Sequence, residues 1–300
     1  AYEIRLSLVG LGDVYKRQKW PRAASLISHE ISDIAIIDIP AFKTAITKTG
    51  ADKTPKAIRE ALKGYSTFSY TTKSDLGKLS IEDLGEIENP DDNEAKTIEK
   101  LSGLHKKLVI ALGGDNSITY AATLGLVGKD LANARLIILD AHHDLRDGIS
   151  NGSPIRRLID AGFNPSNIYQ LGINDFSNSP EYAIYAKAIG VNVISRSKIA
   201  EIGIAKACEK ALKGAKGKIF VDIDVDVCDR SVVPGCPAAA PGGISAFELR
   251  QAARILASDK RVRGIDITEI DATSDSADQR TIRLGALLVL EIAAGFRLRG

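Results

Sequence analysis

At 300 residues, 44% hydrophobic and 26% charged, the chain is long enough to bury a full core as one large domain or two. Forty Lys and Arg against 38 Asp and Glu leave a net charge of +2 with no long single-sign run, which argues against a nucleic-acid or anionic-membrane partner. Three cysteines, Cys208, Cys228 and Cys236, odd in number and without CxxC spacing, argue against a disulfide framework and for a cytoplasmic protein. No apolar run approaches the ~18–20 residues of a membrane span.

The chain opens on Ala1 and contains no methionine, and residues 1–32 are set apart as an N-terminal segment of doubtful origin. Within it, Leu8 to Gln18 has Gly10 and Gly12 but lacks the third glycine of a dinucleotide fingerprint. It resembles a translated sequencing adaptor and receives no functional weight; nor does it have the apolar stretch of a signal peptide. From Asp33 the pattern is regular. A continuous apolar strand, 34–39, stops at Pro40, and Thr54-Pro55 opens a helix through Leu62. Residues 66–93 hold short strand-like pieces and an acidic loop over 86–93. Helix 94–104 then leads to strand 107–112, which ends in Gly113-Gly114-Asp115-Asn116-Ser117, and a helix starts at Ile118. Strand 135–140, a helix near 153–162, strand 167–172, helix 179–189, strand 191–195, helix 202–214 and strand 217–223 follow. The last units are helix 245–257, strand 262–268 and the apolar helix 280–296. Continuous apolar strands alternating with helices of ten to fifteen residues predict an α/β fold with a mostly parallel sheet covered on both faces. No repeat or linker divides it, so 33–300 is expected to be a single catalytic domain.

Two strand ends carry the chemistry. Strand 135–140 runs into Asp140-Ala141-His142-His143-Asp144, and strand 217–223 into Asp222-Ile223-Asp224-Val225-Asp226. Alternate residues of a strand share a face, so each end is expected to present three acidic or imidazole groups together, and such carboxylates repel unless a cation sits between them. A solvated acidic turn accounts for one such cluster. Two, each following a buried strand, make a metal site the better account, and the carboxylate excess suits Mn²⁺ better than a thiol-type zinc site. His29 and His105 stand alone and are expected at the surface.

These residues lie in blocks that resemble the ureohydrolase (arginase, agmatinase, formimidoylglutamase) superfamily: GGDNSITY at 113–120, DAHHD at 140–144, DVDVCD at 224–229 with PGG at 241–243, and ITE at 267–269. The resemblance runs from about Asp33 to the C-terminus. It implies a three-layer α/β/α domain holding two Mn²⁺ ions and hydrolysing an amidine or guanidine carbon. Carried over by position, it implies that Asp140 and Asp224 bridge the ions, His142 and Asp226 complete one of them, and Asp144 binds the other. Asn116 stands where the family normally has a histidine; its neutral carbonyl is a poorer donor, so a weaker second ion is expected. Glu269 matches the acidic residue near the departing nitrogen, Asp144 is expected to move a proton, and Asp115 to orient a ligand.

The run Ser150-Asn151-Gly152-Ser153-Pro154-Ile155-Arg156-Arg157 lacks the His-Gly pair of arginases and agmatinases, and with Arg146 it resembles formimidoylglutamases. The resemblance therefore implies hydrolysis of N-formimino-L-glutamate to L-glutamate and formamide in histidine degradation. Arg146, Asn151 and Ser153 are expected to bind substrate, with Arg146, Arg156 or Arg157 gripping a carboxylate. Agmatine, guanidinobutyrate or arginine as substrate, with urea released, is the alternative; a silent metal-binding protein that has lost the second ion through Asn116 is another. The expected partner is a small amidine, with no nucleic acid or membrane, and the expected assembly a homo-oligomer. Cys228 and Cys236 are read as small core residues rather than redox groups.

Overall fold

A computed structural model describes residues 20–299. Eleven strands occur among them: β1 (Ile27–Ser28), β2 (Ile34–Ile39), β3 (Phe68–Ser69), β4 (Ser74–Asp75), β5 (Ile81–Glu86), β6 (Leu108–Gly113), β7 (Arg135–Leu139), β8 (Ile168–Leu171), β9 (Asn192–Ile194), β10 (Ile219–Asp224) and β11 (Val262–Thr268). The α-helices are α1 (Thr54–Ala61), α2 (Glu94–Ser102), α3 (Ile118–Val127), α4 (Pro154–Asp160), α5 (Pro180–Ile189), α6 (Arg196–Ile202), α7 (Ile204–Leu212), α8 (Ala246–Ala257) and α9 (Arg280–Arg297).

Nine strands form one sheet in the order β1-β5-β2-β6-β11-β10-β7-β8-β9, every neighbouring pair parallel. Among the strands of the described residues only the short β3–β4 pair is antiparallel. The apolar character of the central strands follows from a sheet buried on both sides. Ile34 and Ile36 of β2, Leu108 and Ile110 of β6, and Ile137 and Leu139 of β7 join a core shared with α1 and α6–α9. Their strand neighbours Ile37, Val109, Ala111, Leu136 and Ile138 turn the other way, into a second core with α2–α5. The result is the expected three-layer α/β/α arrangement. Among the described residues no helix is long and apolar enough to cross a membrane.

Two local features depart from the sequence expectation. Helix 202–214 is preceded by a separate helix, α6, capped by Ser195, whose hydroxyl accepts the Lys198 N–H; Gly203, at φ +81°, breaks the two apart. At the opposite margin, the turn Ala23–Leu26 and strand β1 add to the sheet edge, with Ile27 paired to Ile81. Ile27 and Ser28 of the segment set apart are thus built into the sheet, with Ala23 and Leu26 buried in the core beside them, whereas Leu8 to Gln18 lies outside the described residues.

The sheet order matters most for function. β6, β11, β10 and β7 are adjacent at its centre, although β10 and β11 come last in the chain. Their carboxyl ends therefore bring 113–117, 267–269, 224–226 and 140–144 to one edge, where ligands of open parallel sheets bind.

Candidate metal centre and active site

β7 ends at Leu139, and the acidic stretch after it has no regular structure. The Asp140 carboxylate turns back to accept the His142 N–H at 2.6 Å. The His142 ring places Nδ1 2.7 Å from Asp226 Oδ2 and 3.4 Å from Asp140 Oδ1. Asp226 also accepts the Ala141 N–H at 3.0 Å, stitching the two strand ends together. Strand alternation is not what groups these acids, contrary to the sequence expectation. β10 stops at Asp224, whose side chain accepts the Asp226 N–H at 2.8 Å and caps a 3₁₀ turn over Val225–Val227. Asp222 stays inside the sheet, opposite Asp266 in the register with β11.

One ligand atom each from Asp140, His142 and Asp226 lies within 4.8 Å of the other two. Asp140 Oδ2 is buried and has no hydrogen-bond partner. Burial first, and the neighbouring acids next, push Asp140 and Asp224 well above the ordinary carboxylate range. Burial likewise lifts Asp144 to about 7 and Glu269 to about 8. For His142 burial works in the other direction, yet the hydrogen bond and charge of Asp226 prevail and raise it to about 9. Such crowding of oxygen donors around one imidazole, with an orphaned buried carboxylate oxygen among them, fits a hard or borderline divalent cation.

Asn116 follows the Gly113-Gly114 turn at the end of β6. Its main-chain N–H donates to Glu269 Oε1 at 2.7 Å, and its side-chain Nδ2 donates to Asp144 Oδ2 at 2.7 Å. The carbonyl expected to face a metal is occupied instead: the hydroxyl of Thr268 donates to Oδ1 (3.0 Å), and that of Thr119 lies 2.9 Å from it, shared with Asp266 Oδ2 at 2.9 Å. Asp144 at φ +52° and Glu269 at φ +62° occupy the left-handed region, a costly conformation for such residues and one that recurs at functional sites. The Glu269 carboxylate also accepts from Asn151 Nδ2 at 2.9 Å, while Asn151 Oδ1 holds the Ile46 N–H at 3.0 Å. Asp115 is buried and holds the Ser117 N–H and hydroxyl, with burial lifting its carboxyl to about 6. It thus stabilises the turn that carries Asn116.

A cavity of about 320 Å³ opens above these groups, lined by His142, Asp144, Asp224, Asp226 and Glu269 together with Arg146 and Asn151. Of the arginines expected to reach substrate, only Arg146 faces it. Arg157 is engaged by Glu94 through two bonds of 2.7 and 2.8 Å and stacks on Tyr120. Arg156 turns to Asp147, Asp160 and the Tyr185 ring. Arg146 has no ion pair among the described residues; its N–H donates to Gly152 O at 3.0 Å, and its side chain runs over Gly152, where a Cβ would lie 2.8 Å from Arg146 Cδ. Ser153 is turned away from the cavity: it is buried, and its hydroxyl exchanges 2.8 Å bonds with the Ser150 main chain ahead of α4. His143, expected outside the ligand set, is buried with its ring on Gln170.

A larger groove, about 630 Å³, lies at the other edge of the sheet among Lys129, Lys216, Lys218, Lys260, Arg261 and Arg263. It holds no acid–imidazole cluster. Its cations sit by the carboxyl ends of helices, with Arg261 donating to the Leu212 and Ala215 carbonyls, where positive charge complements the helix dipoles.

Sequence reasoning missed Thr119, Thr268, Gln170 and Asn178. The two threonines stand inside the blocks GGDNSITY and ITE, next to residues already singled out. Gln170 and Asn178 carry no sequence signal and are placed by the fold.

A parallel sheet between two layers of helices, with an acid and imidazole cluster at its carboxyl edge, is a hydrolase scaffold of the arginase type, and the chain belongs to the arginase family, whose pattern matches residues 32–295. Within that family it is 34% identical to the formimidoylglutamase of Bacillus subtilis (strain 168), the alignment covering 96% of each chain. It superimposes on the crystal structure of B. subtilis formimidoylglutamase with a TM-score of 0.86 at 32% identity, covering 95% of this chain and 98% of the other. The agmatinase of Bacillus anthracis is more distant, 28% identical over 85% of this chain and 89% of its own. Trypanosoma cruzi formiminoglutamase, solved with Mn²⁺, shares the fold at 22% identity, with a TM-score of 0.86 over 93% of this chain and 99% of that one.

Proposed function

We propose that the chain hydrolyses N-formimino-L-glutamate to L-glutamate and formamide, using two Mn²⁺ ions. Asp140, His142, Asp224 and Asp226 would hold one ion, and Asp140, Asp224 and Asp144 the other, with Asn116 contributing little because its amide nitrogen is the atom turned towards Asp144. The observation that carries the substrate choice is Arg146, the one Lys or Arg lining an otherwise acidic cavity and without an ion-pair partner among the described residues. N-formimino-L-glutamate brings two carboxylates for a guanidinium to grip, whereas agmatine brings none. The 34% identity to a formimidoylglutamase supports the same choice.

Held by these residues, the cations would supply the acidification that makes water a nucleophile near neutral pH. The chain's own groups do the rest. Arg146 anchors a substrate carboxylate at the mouth and orients the formimino carbon towards the acids. Asp144, at the cavity wall and hydrogen-bonded to Asn116 Nδ2, would take a proton from the attacking water and return it. That proton goes to the glutamate nitrogen as its bond to the formimino carbon breaks, leaving the oxygen and the other nitrogen on formamide. Glu269, anchored by Asn116 and Asn151, faces the positive amidinium. Ser153 and the flanking Arg156 and Arg157 take no part in this scheme.

The proposal assigns the enzyme to histidine degradation in the cytoplasm, as a homo-oligomer whose catalytic unit is 33–300. Parallel assays with N-formimino-L-glutamate, agmatine and arginine, each with added Mn²⁺, test it. Formamide release from the first alone is expected. Urea from agmatine or arginine, without formamide, overturns the substrate assignment; no turnover of any of the three favours a silent family member.

A further inference from the structure

The loop after β8 carries Asn178, a half-buried residue outside every motif block that lines the cavity between Ser177 and Ser179. Its side-chain amide reaches across to the metal-ligand loop and makes two bonds there. Oδ1 accepts the His143 N–H at 2.8 Å, and Nδ2 donates to the Ala141 carbonyl at 2.9 Å. These are the main-chain groups on either side of His142. From behind, the fully buried Gln170 of β8 completes the grip: Nε2 donates to the His143 carbonyl at 2.9 Å, and Oε1 lies 2.7 Å from His143 Nδ1.

We propose that Asn178 is a positioning residue of the metal centre, which clamps the backbone on both sides of His142 and so holds that imidazole against Asp140 and Asp226. The peptide groups flanking a residue set its φ and ψ, and two directional bonds to one planar amide leave them little freedom. A strand or helix would hold a ligand without such help. His142 sits in neither, because β7 has already ended, and the clamp supplies the rigidity a ligand needs. The same side chain belongs to the wall of the cavity, so it also fixes the distance between that wall and the metal ligands.

The inference rests on the metal centre proposed above and not on the choice of substrate. It is tested by Mn²⁺ titration of the full chain, followed by the electron paramagnetic resonance signal of free Mn²⁺. Asn178→Ala is expected to bind Mn²⁺ about 10- to 100-fold more weakly, the usual effect of removing a group that orients a ligand. Ser195→Ala, which removes the cap of α6 away from this site, is the stability control: a lower melting temperature with unaltered Mn²⁺ affinity. Should Asn178→Ala not fold, Asn178→Asp keeps the acceptor for the His143 N–H but loses the donor to Ala141, and a weaker affinity is again expected. Unchanged Mn²⁺ affinity in whichever variant folds overturns the proposal. A wild-type chain that binds no Mn²⁺ removes the metal centre, and this role of Asn178 with it.

Discussion

Replacing Arg146 by alanine tests the substrate reading most directly. The side chain is exposed at the cavity mouth, so its removal strands no buried charge and leaves the fold intact. What is lost is a charge-assisted hydrogen bond to a substrate carboxylate, about 1.5–3 kcal/mol when such a pair is shielded and less when water competes. Exposure places the expected loss below that range, at about 1 kcal/mol, or a roughly fivefold rise in KM at ~1.4 kcal/mol per decade. The contact lies away from the reacting carbon and is the same in ground and transition states, so kcat should stay within about twofold. Initial rates of formamide release over a range of N-formimino-L-glutamate concentrations give both constants. Gly152→Ala should mimic the effect more weakly, because its new Cβ would lie 2.8 Å from Arg146 Cδ and displace the guanidinium. An unchanged KM in Arg146→Ala, or a loss confined to kcat, refutes the assignment of Arg146 to a substrate carboxylate.

Three further outcomes follow from the geometry. A Cβ on Gly114 would overlap the Ala41 carbonyl oxygen and lie 2.9 Å from its carbon; since backbone cannot rotate away, Gly114→Ala should cost about 3 kcal/mol, read as a lower urea midpoint, and a wild-type midpoint would contradict this. Burial holds Asp144 at about 7 and Glu269 at about 8, against ordinary values of 3.8 and 4.5, so the metal-free folded chain keeps protons that the unfolded chain has released. Its stability therefore falls as pH rises from about 4 towards 8, and because a cation replaces those protons, Mn²⁺ should raise the melting temperature more at pH 8 than at pH 6. Equal increments at the two pH values would show that the metal does not displace the Asp144 proton. Asn116→His replaces an amide whose nitrogen faces Asp144 by an imidazole able to ligate, and metal analysis should find tighter or more complete Mn²⁺ loading; unaltered loading counts against a weakened second site.

Much of this was legible in the sequence, for reasons that lie in the layers. A parallel sheet with helices on both faces needs apolar residues on both sides of its central strands, and that requirement writes runs such as 108–112 and 136–139 plainly into the chain. Margins obey weaker rules. β1 has two residues, and β5 mixes Ile81 and Leu84 with Glu82, Asp83 and Glu86, so neither stands out from a loop. The helix α6 was hidden because Gly203 lies between two short helices that read as one helix and a loop.

The candidate site divides in the same way. Which residues gather at the carboxyl edge follows from strand ends, and strand ends are visible. How they gather does not follow from alternation: Asp224 and Asp226 meet through a capped 3₁₀ turn, and Asp144 through a left-handed backbone. The direction of the Asn116 amide is further still from the sequence pattern. It is decided by two hydroxyls, Thr119 from α3 and Thr268 from β11, that converge on Oδ1 and leave only Nδ2 for Asp144. A residue's type at a ligand position sets which donors it offers, but its neighbours in space choose the one that is presented. Thr119 and Thr268 therefore belong to the chemistry of the second ion as much as Asn116 does: an imidazole introduced at 116 would leave Thr119 its bond to Asp266 at 2.9 Å but Thr268 only the Ile223 carbonyl at 3.4 Å.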